Sequence, residues 1–116
     1  MPNILLGLAG LAGACGVALA AAGSHLSSDL LQTAGGVVMA HAPALLALAT
    51  RKRGNPSLLT LGGLVLASGL AFFAGDLTMR ALSGHALFAL AAPLGGTLLI
   101  LGWICIAAAG LLKRDD

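Results

Sequence analysis

Residues 37–56 read VVMAHAPALLALATRKRGNP, an apolar run that carries one histidine and one proline and then stops at three consecutive cations. Upstream, the run extends back to Leu30 without a charged side chain; downstream, a second uncharged run opens at Pro56. Runs of about 20 apolar residues match a hydrocarbon core about 30 Å thick, crossed by a helix at about 1.5 Å per residue. The stretch is therefore read as the end of one transmembrane helix, a basic turn and the start of the next.

The whole chain has the same character. Of its 116 residues 59% are hydrophobic and only 9% charged, and the mean hydropathy of +1.01 lies far outside the range of soluble domains. The expected fold class is an all-α membrane protein, a four-transmembrane-helix bundle forming a single domain over residues 1–116, with helices near 4–23, 30–50, 56–79 and 84–112. So little chain is left outside the bilayer that no soluble catalytic domain is expected. The net charge of +2 includes no basic stripe with interleaved aromatics, which argues against a nucleic-acid partner. The small residues of ALAAAG (18–23) and LAGAC (11–15) resemble cleavage signals, but no Lys or Arg precedes the first run and it exceeds a signal core in length, so it is read as a span.

Placement of the cations sets the expected orientation. Arg51, Lys52, Arg53, Lys113 and Arg114 fall at two points that an even number of crossings puts on one side. By the positive-inside rule that side, with both termini, is cytoplasmic. Residues 24–29 carry no Lys or Arg and fall outside, and Arg80 is the exception.

Helix ends carry local signals. Asp29, followed three residues later by Gln32, reads as a capping box opening the second helix. Gly54 supplies a stop, and Asn55-Pro56 an N-cap and first-turn proline for the third. Gly62 and Gly69 in the third helix, and Gly95, Gly102 and Ala109 in the fourth, lie seven apart and so on nearly one face. Lipid offers no hydrophobic gain for helix association, so such rows are read as close-packing seams. Asp76 continues the first row and is expected to face into the bundle. The last apolar stretch, Ala86 to Leu112, is 27 residues and about 40 Å long if straight. Pro93, with Gly95 and Gly96 in AAPLGG (91–96), is expected to kink or break it, leaving residues 83–92 as a short helix or loop at the outer interface.

Ionisable groups inside a membrane are the candidate functional residues. His41, about 17 Å into its helix, is either a proton relay or ligand contact, or a neutral ring hydrogen-bonded to a neighbouring helix. The packing reading is preferred, with Ser68 at similar depth as its expected partner. Asp76 and Arg80, four apart, are expected to form an ion pair near the outer interface. Ser24, His25 and His85 fall at the same end, and backbone donors of Gly95 and Gly96 are expected to turn toward Asp76, completing a candidate polar site. His25, His41 and His85 lack the paired spacing of metal ligands, and Cys15 and Cys105 fall near mid-bilayer, where a thiol behaves as a small apolar side chain, so no metal, cofactor or disulfide is expected. No nucleophile stands in a recognisable triad and no phosphate loop is present.

AAAGSH (20–25), Thr33 with His41 eight residues later in HAPALL, FFAGDLTMRAL (72–82), APLGG (92–96) and Gly102-Trp103 together resemble the successive motifs of the domain-of-unknown-function 423 family. The resemblance runs through nearly the whole chain in order. It implies a small polytopic protein of the bacterial inner membrane without an established activity. Tyrosines that members of that family often carry at the positions of Val37 and Thr78 are absent here. The function expected is a non-enzymatic interaction with membrane lipid or a membrane-protein partner, including a second copy of the chain. The alternative is a small ion, proton or solute transporter using the outer polar cluster and His41. Three Phe, one Trp and no Tyr are too few for an aromatic cage around organic cations.

Overall fold

The computed structural model describes residues 3–112. Four helices follow one another: α1 (Ile4–His25), α2 (Asp29–Ala49), α3 (Pro56–Ser83) and α4 (Ala91–Leu111). Each is long and apolar enough to cross a membrane. α1 packs along α2 and α3 along α4, while α2 against α3 joins the two pairs and α1 touches α3 only briefly. The bundle measures 50 × 26 × 23 Å.

Its surface is inverted relative to that of a soluble protein. Ile4, Leu11, Val17, Leu61, Ile100 and Ile104 are all at least half exposed, whereas the one buried charged side chain among the described residues is Asp76. The core is a thin seam of Leu45, Leu48, Leu66, Leu70 and Leu99 with alanines between them. Glycine lets backbones meet there. A Cβ at Gly95 would lie 2.8 Å from Gly69 O and from Phe73 Cα, and one at Gly69 would lie 2.9 Å from Gly95 O. The α1/α2 seam is built the same way, with Gly35 against Ala20 and Gly23 against Gln32.

Capping explains where the helices begin. Asn55 Oδ1 accepts from the backbone N–H of Ser57 and Leu58, with Pro56 in the first turn, as the sequence predicts. At α2 the cap is Ser28 rather than Asp29: Ser28 Oγ accepts from Leu31 N–H at 3.2 Å, and the Gln32 side chain donates to Gly23 O at the end of α1. The serine sits one residue earlier and has the extended backbone a cap requires, so it takes the role.

The loop expected over 83–92 is present as residues 84–90, so the fourth helix begins at Ala91 rather than near 84, and the kink expected near Pro93 is not confirmed. α4 runs uninterrupted from Ala91, which puts Pro93 in the first turn, where its missing N–H and ring displace no intrahelical bond. The chain leaves helix earlier, at Gly84 (φ +78), and residues 84–90 form a loop. α3 is one turn longer than expected, reaching Ser83.

The two ends of the bundle differ. At the basic end Asn3 Nδ2 donates to Ala49 O at 3.0 Å, and Asn55 N–H donates to Ala109 O at 3.2 Å. Arg51 is half-buried and donates to Leu48 O, Pro56 O and Thr60 Oγ1, tying α2 to α3. The expected contribution of Lys113 and Arg114 to this end lies outside the described residues. The opposite end holds the short turn after His25 and the 84–90 loop, and is termed the loop end below.

Candidate functional site

Asp76 lies in the last third of α3 with its side chain fully buried, facing inward as its continuation of the Gly62–Gly69 row predicts. Its carboxylate has two partners. Oδ2 accepts from Arg80 Nε at 2.8 Å, and Oδ1 accepts from the backbone N–H of Leu87 at 2.8 Å. The Arg80 side chain is 45% exposed, so the ion pair joins a buried carboxylate to a partly exposed cation. The carboxylate therefore acts as a clasp: one oxygen holds its own helix's cation, the other holds the 84–90 loop. Phe88 adds a second attachment, edge-on to Phe72 with ring centroids 5.7 Å apart.

Other members of the expected polar cluster are not joined to this pair. Ser24 and His25 are exposed at the end of α1, with no hydrogen bond to Asp76 or Arg80. Gly95 and Gly96 do not supply donors to the carboxylate, because α4 has already begun and they lie beyond its first turn. Gly95 serves instead as the contact against Phe73, and Gly96 faces open space. His85 is exposed, its N–H directed at Ser83 Oγ. The loop N–H that does meet Asp76 lies eleven residues downstream, and no motif in the sequence marked it.

His41 is half-buried and pairs across the bundle, but with Trp103 rather than Ser68. Trp103 Nε1 lies 3.1 Å from His41 Nε2, and His41 Nδ1 lies 2.7 Å from Val37 O. An indole nitrogen only donates, so Nε2 accepts and the ring is neutral with its proton on Nδ1, given to the Val37 carbonyl. Ser68 is exposed and spends its hydroxyl on Leu64 O within its own helix. Trp103 stands twelve residues into α4, the same depth at which His41 stands in α2, a match that shows only once α4 is seen to start at Ala91.

Beside the clasp, α1 and α3 diverge over α2 and leave an apolar groove of about 560 Å³. Leu8, Leu11 and Cys15 form one wall, Ala71, Ala74 and Gly75 the other, and the buried Val38 and Leu45 of α2 the floor. Thr78 and Cys15 supply the only hydroxyl and thiol of the lining. Leu87 is the single lining residue that comes from outside the helices. Among the described residues, no three His, Cys, Asp or Glu side chains are grouped to hold a metal ion.

The family model described as Protein of unknown function (DUF423) matches residues 12–96. The chain belongs to that family. The matched segment contains the whole clasp, His41, the 84–90 loop and all but the first two wall residues of the groove, Leu8 and Leu11, and it ends before Trp103. No solved structure matches the chain. The family description assigns no activity, so a function has to be argued from the groove and the clasp themselves.

Proposed function

We propose that this protein is a non-enzymatic lipid-binding protein of the membrane, whose α1/α3 groove holds one acyl chain of a membrane lipid. The groove itself carries the proposal: it is uncharged, opens sideways, and lies in a bundle whose outer surface is apolar. From Ala67 to Leu82 the α3 wall rises about 22 Å, a length that an extended chain can follow. One leaflet is about 15 Å deep, half the hydrocarbon thickness, so a single chain fits within the groove's length. The ionisable groups support a transport path less well, since His41 and Asp76 are each fully engaged by partners and neither lines the groove.

In this proposal the basic end is cytoplasmic and the groove closes toward the outer side, following the placement of Arg51, Lys52 and Arg53. The test uses the full chain in nanodiscs containing a phospholipid with a diazirine on one acyl chain. Labelling is expected to concentrate on Leu11, Cys15 and Ala71 and to fall several-fold in Ala71→Trp, which fills the groove from an exposed wall position. Even labelling of all lipid-facing helices, unchanged in that variant, would overturn the reading. So would efficient Cys15-to-Cys15 crosslinking between copies, which would make a second protein chain the occupant.

A further inference from the structure

We propose that the turn between α2 and α3 is a docking surface for the phosphate headgroup of an anionic membrane lipid, with Lys52 and Arg53 as its charged contacts. No residue of the turn lines the α1/α3 groove, so this surface stands apart from the lipid-binding reading above. It begins with the end of α2. A helix ends in four carbonyls that its own N–H groups do not reach, and their partial negative charge repels an anion. In α2 all four accept hydrogen bonds. Leu46 O and Ala47 O take the N–H and hydroxyl of Thr50, Leu48 O takes Arg51 Nη1 at 2.6 Å, and Ala49 O takes Asn3 Nδ2 at 3.0 Å. Arg51 thus folds back on the protein, where its other terminal nitrogen donates to Pro56 O and Thr60 Oγ1.

The donors that follow in the chain have no such use. The backbone N–H groups of residues 51–54 meet no acceptor among the described residues, and Lys52 and Arg53 are exposed, with no ion pair among those residues. The described carboxylates stand elsewhere: Asp29 opens α2 at the loop end, and Asp76 is held by Arg80 and Leu87. α3 begins at the same turn and adds the positive end of its dipole. The turn is also held in shape, by Gly54 at φ +86 and by the 3.2 Å bond from Asn55 N–H to Ala109 O, which lowers the cost of ordering contacts to a ligand there. Two apolar spans end on either side of it, at the level where hydrocarbon gives way to headgroups. Phosphate oxygens accept hydrogen bonds and carry the opposite charge. A lipid of net negative charge therefore complements this surface, whereas a zwitterionic one brings its own cation to it.

The experiment uses the full chain in nanodiscs of equal parts phosphatidylglycerol and phosphatidylcholine with identical acyl chains, and reads the ratio of the two lipids retained by native mass spectrometry. Wild type is expected to retain phosphatidylglycerol in excess. A cation near a membrane surface contributes about fivefold to attraction of anionic lipid, so Lys52→Gln and Arg53→Gln should each lower the ratio by up to about fivefold, and the double variant further. Both side chains are exposed and carry none of the turn's internal bonds, so folding is retained. Exchanging the two, Lys52→Arg with Arg53→Lys, should leave the ratio as in wild type. Equal retention of the two lipids by wild type, or a ratio unchanged in the double variant, would overturn the proposal. So would recovery of the ratio when Ser24→Lys and His85→Lys are added to the double variant, because net charge rather than this turn would then select the lipid. Displacement of phosphatidylglycerol from wild type by millimolar inorganic phosphate, at matched ionic strength, would make a soluble anion the occupant and overturn the lipid assignment.

Discussion

Gly95 and Gly96 are neighbours in sequence with opposite surroundings, and alanine at each separates two effects that usually come mixed. A Cβ at Gly95 would fall against the backbone N of Phe73 and 2.8 Å from both Phe73 Cα and Gly69 O, about 0.6 Å inside the 3.4 Å of ordinary contact. All three atoms are backbone, so no rotamer change relieves the clash and α3 and α4 must move apart. Overpacking of this kind costs about 1–3 kcal/mol, and separation also thins the dispersion contacts along the seam. A Cβ at Gly96 meets nothing within 4 Å. Both substitutions gain the same helix propensity, about 1 kcal/mol in water, so the difference between them isolates packing. Gly95→Ala is therefore expected to be less stable than Gly96→Ala by about 1–3 kcal/mol, read by denaturant titration of the two proteins in the same detergent. Equal stability would refute the close approach of α3 and α4 and, with it, the reading of glycine rows as packing seams.

Trp103→Phe keeps the ring but removes the donor to His41. It should cost about 0.6–2 kcal/mol, the range for hydrogen bonds between membrane helices, and much less in a His41→Phe background, as a double-mutant cycle in detergent will show. Arg51→Ala should destabilise the basic end by about 1.5–3 kcal/mol through loss of charge-assisted bonds to Leu48, Pro56 and Thr60, whereas the exposed Lys52→Ala should be close to neutral by the same measurement. For orientation, in a background lacking Cys15 and Cys105, a cysteine at His85 should react with an impermeant maleimide added outside intact cells and one at Lys52 should not; the reverse pattern would invert the topology.

By itself the sequence determined the spans. Hydrocarbon thickness dictates how long an uncharged run must be, and four such runs separated by turn residues leave little choice of architecture. It also determined the cap at Asn55-Pro56, because capping depends on residues within one turn, and the inward face of Asp76, because seven-residue spacing keeps a residue in line with Gly62 and Gly69. Other features were settled by tertiary structure alone. These helices are apolar on every side, so periodicity says little about their rotation, and the partner of His41 proved to be Trp103, on a helix whose backbone does not pack against that of α2. The start of α4 was likewise hidden. Pro93 reads equally well as a kink or as a first-turn residue, and the choice fell to the path of residues 84–90, which is held by a carboxylate eleven positions away. The groove is the clearest case: most of its wall residues look in sequence like any lipid-facing alanine or leucine, and only the way α1 and α3 pack separately against α2 makes a cavity of them.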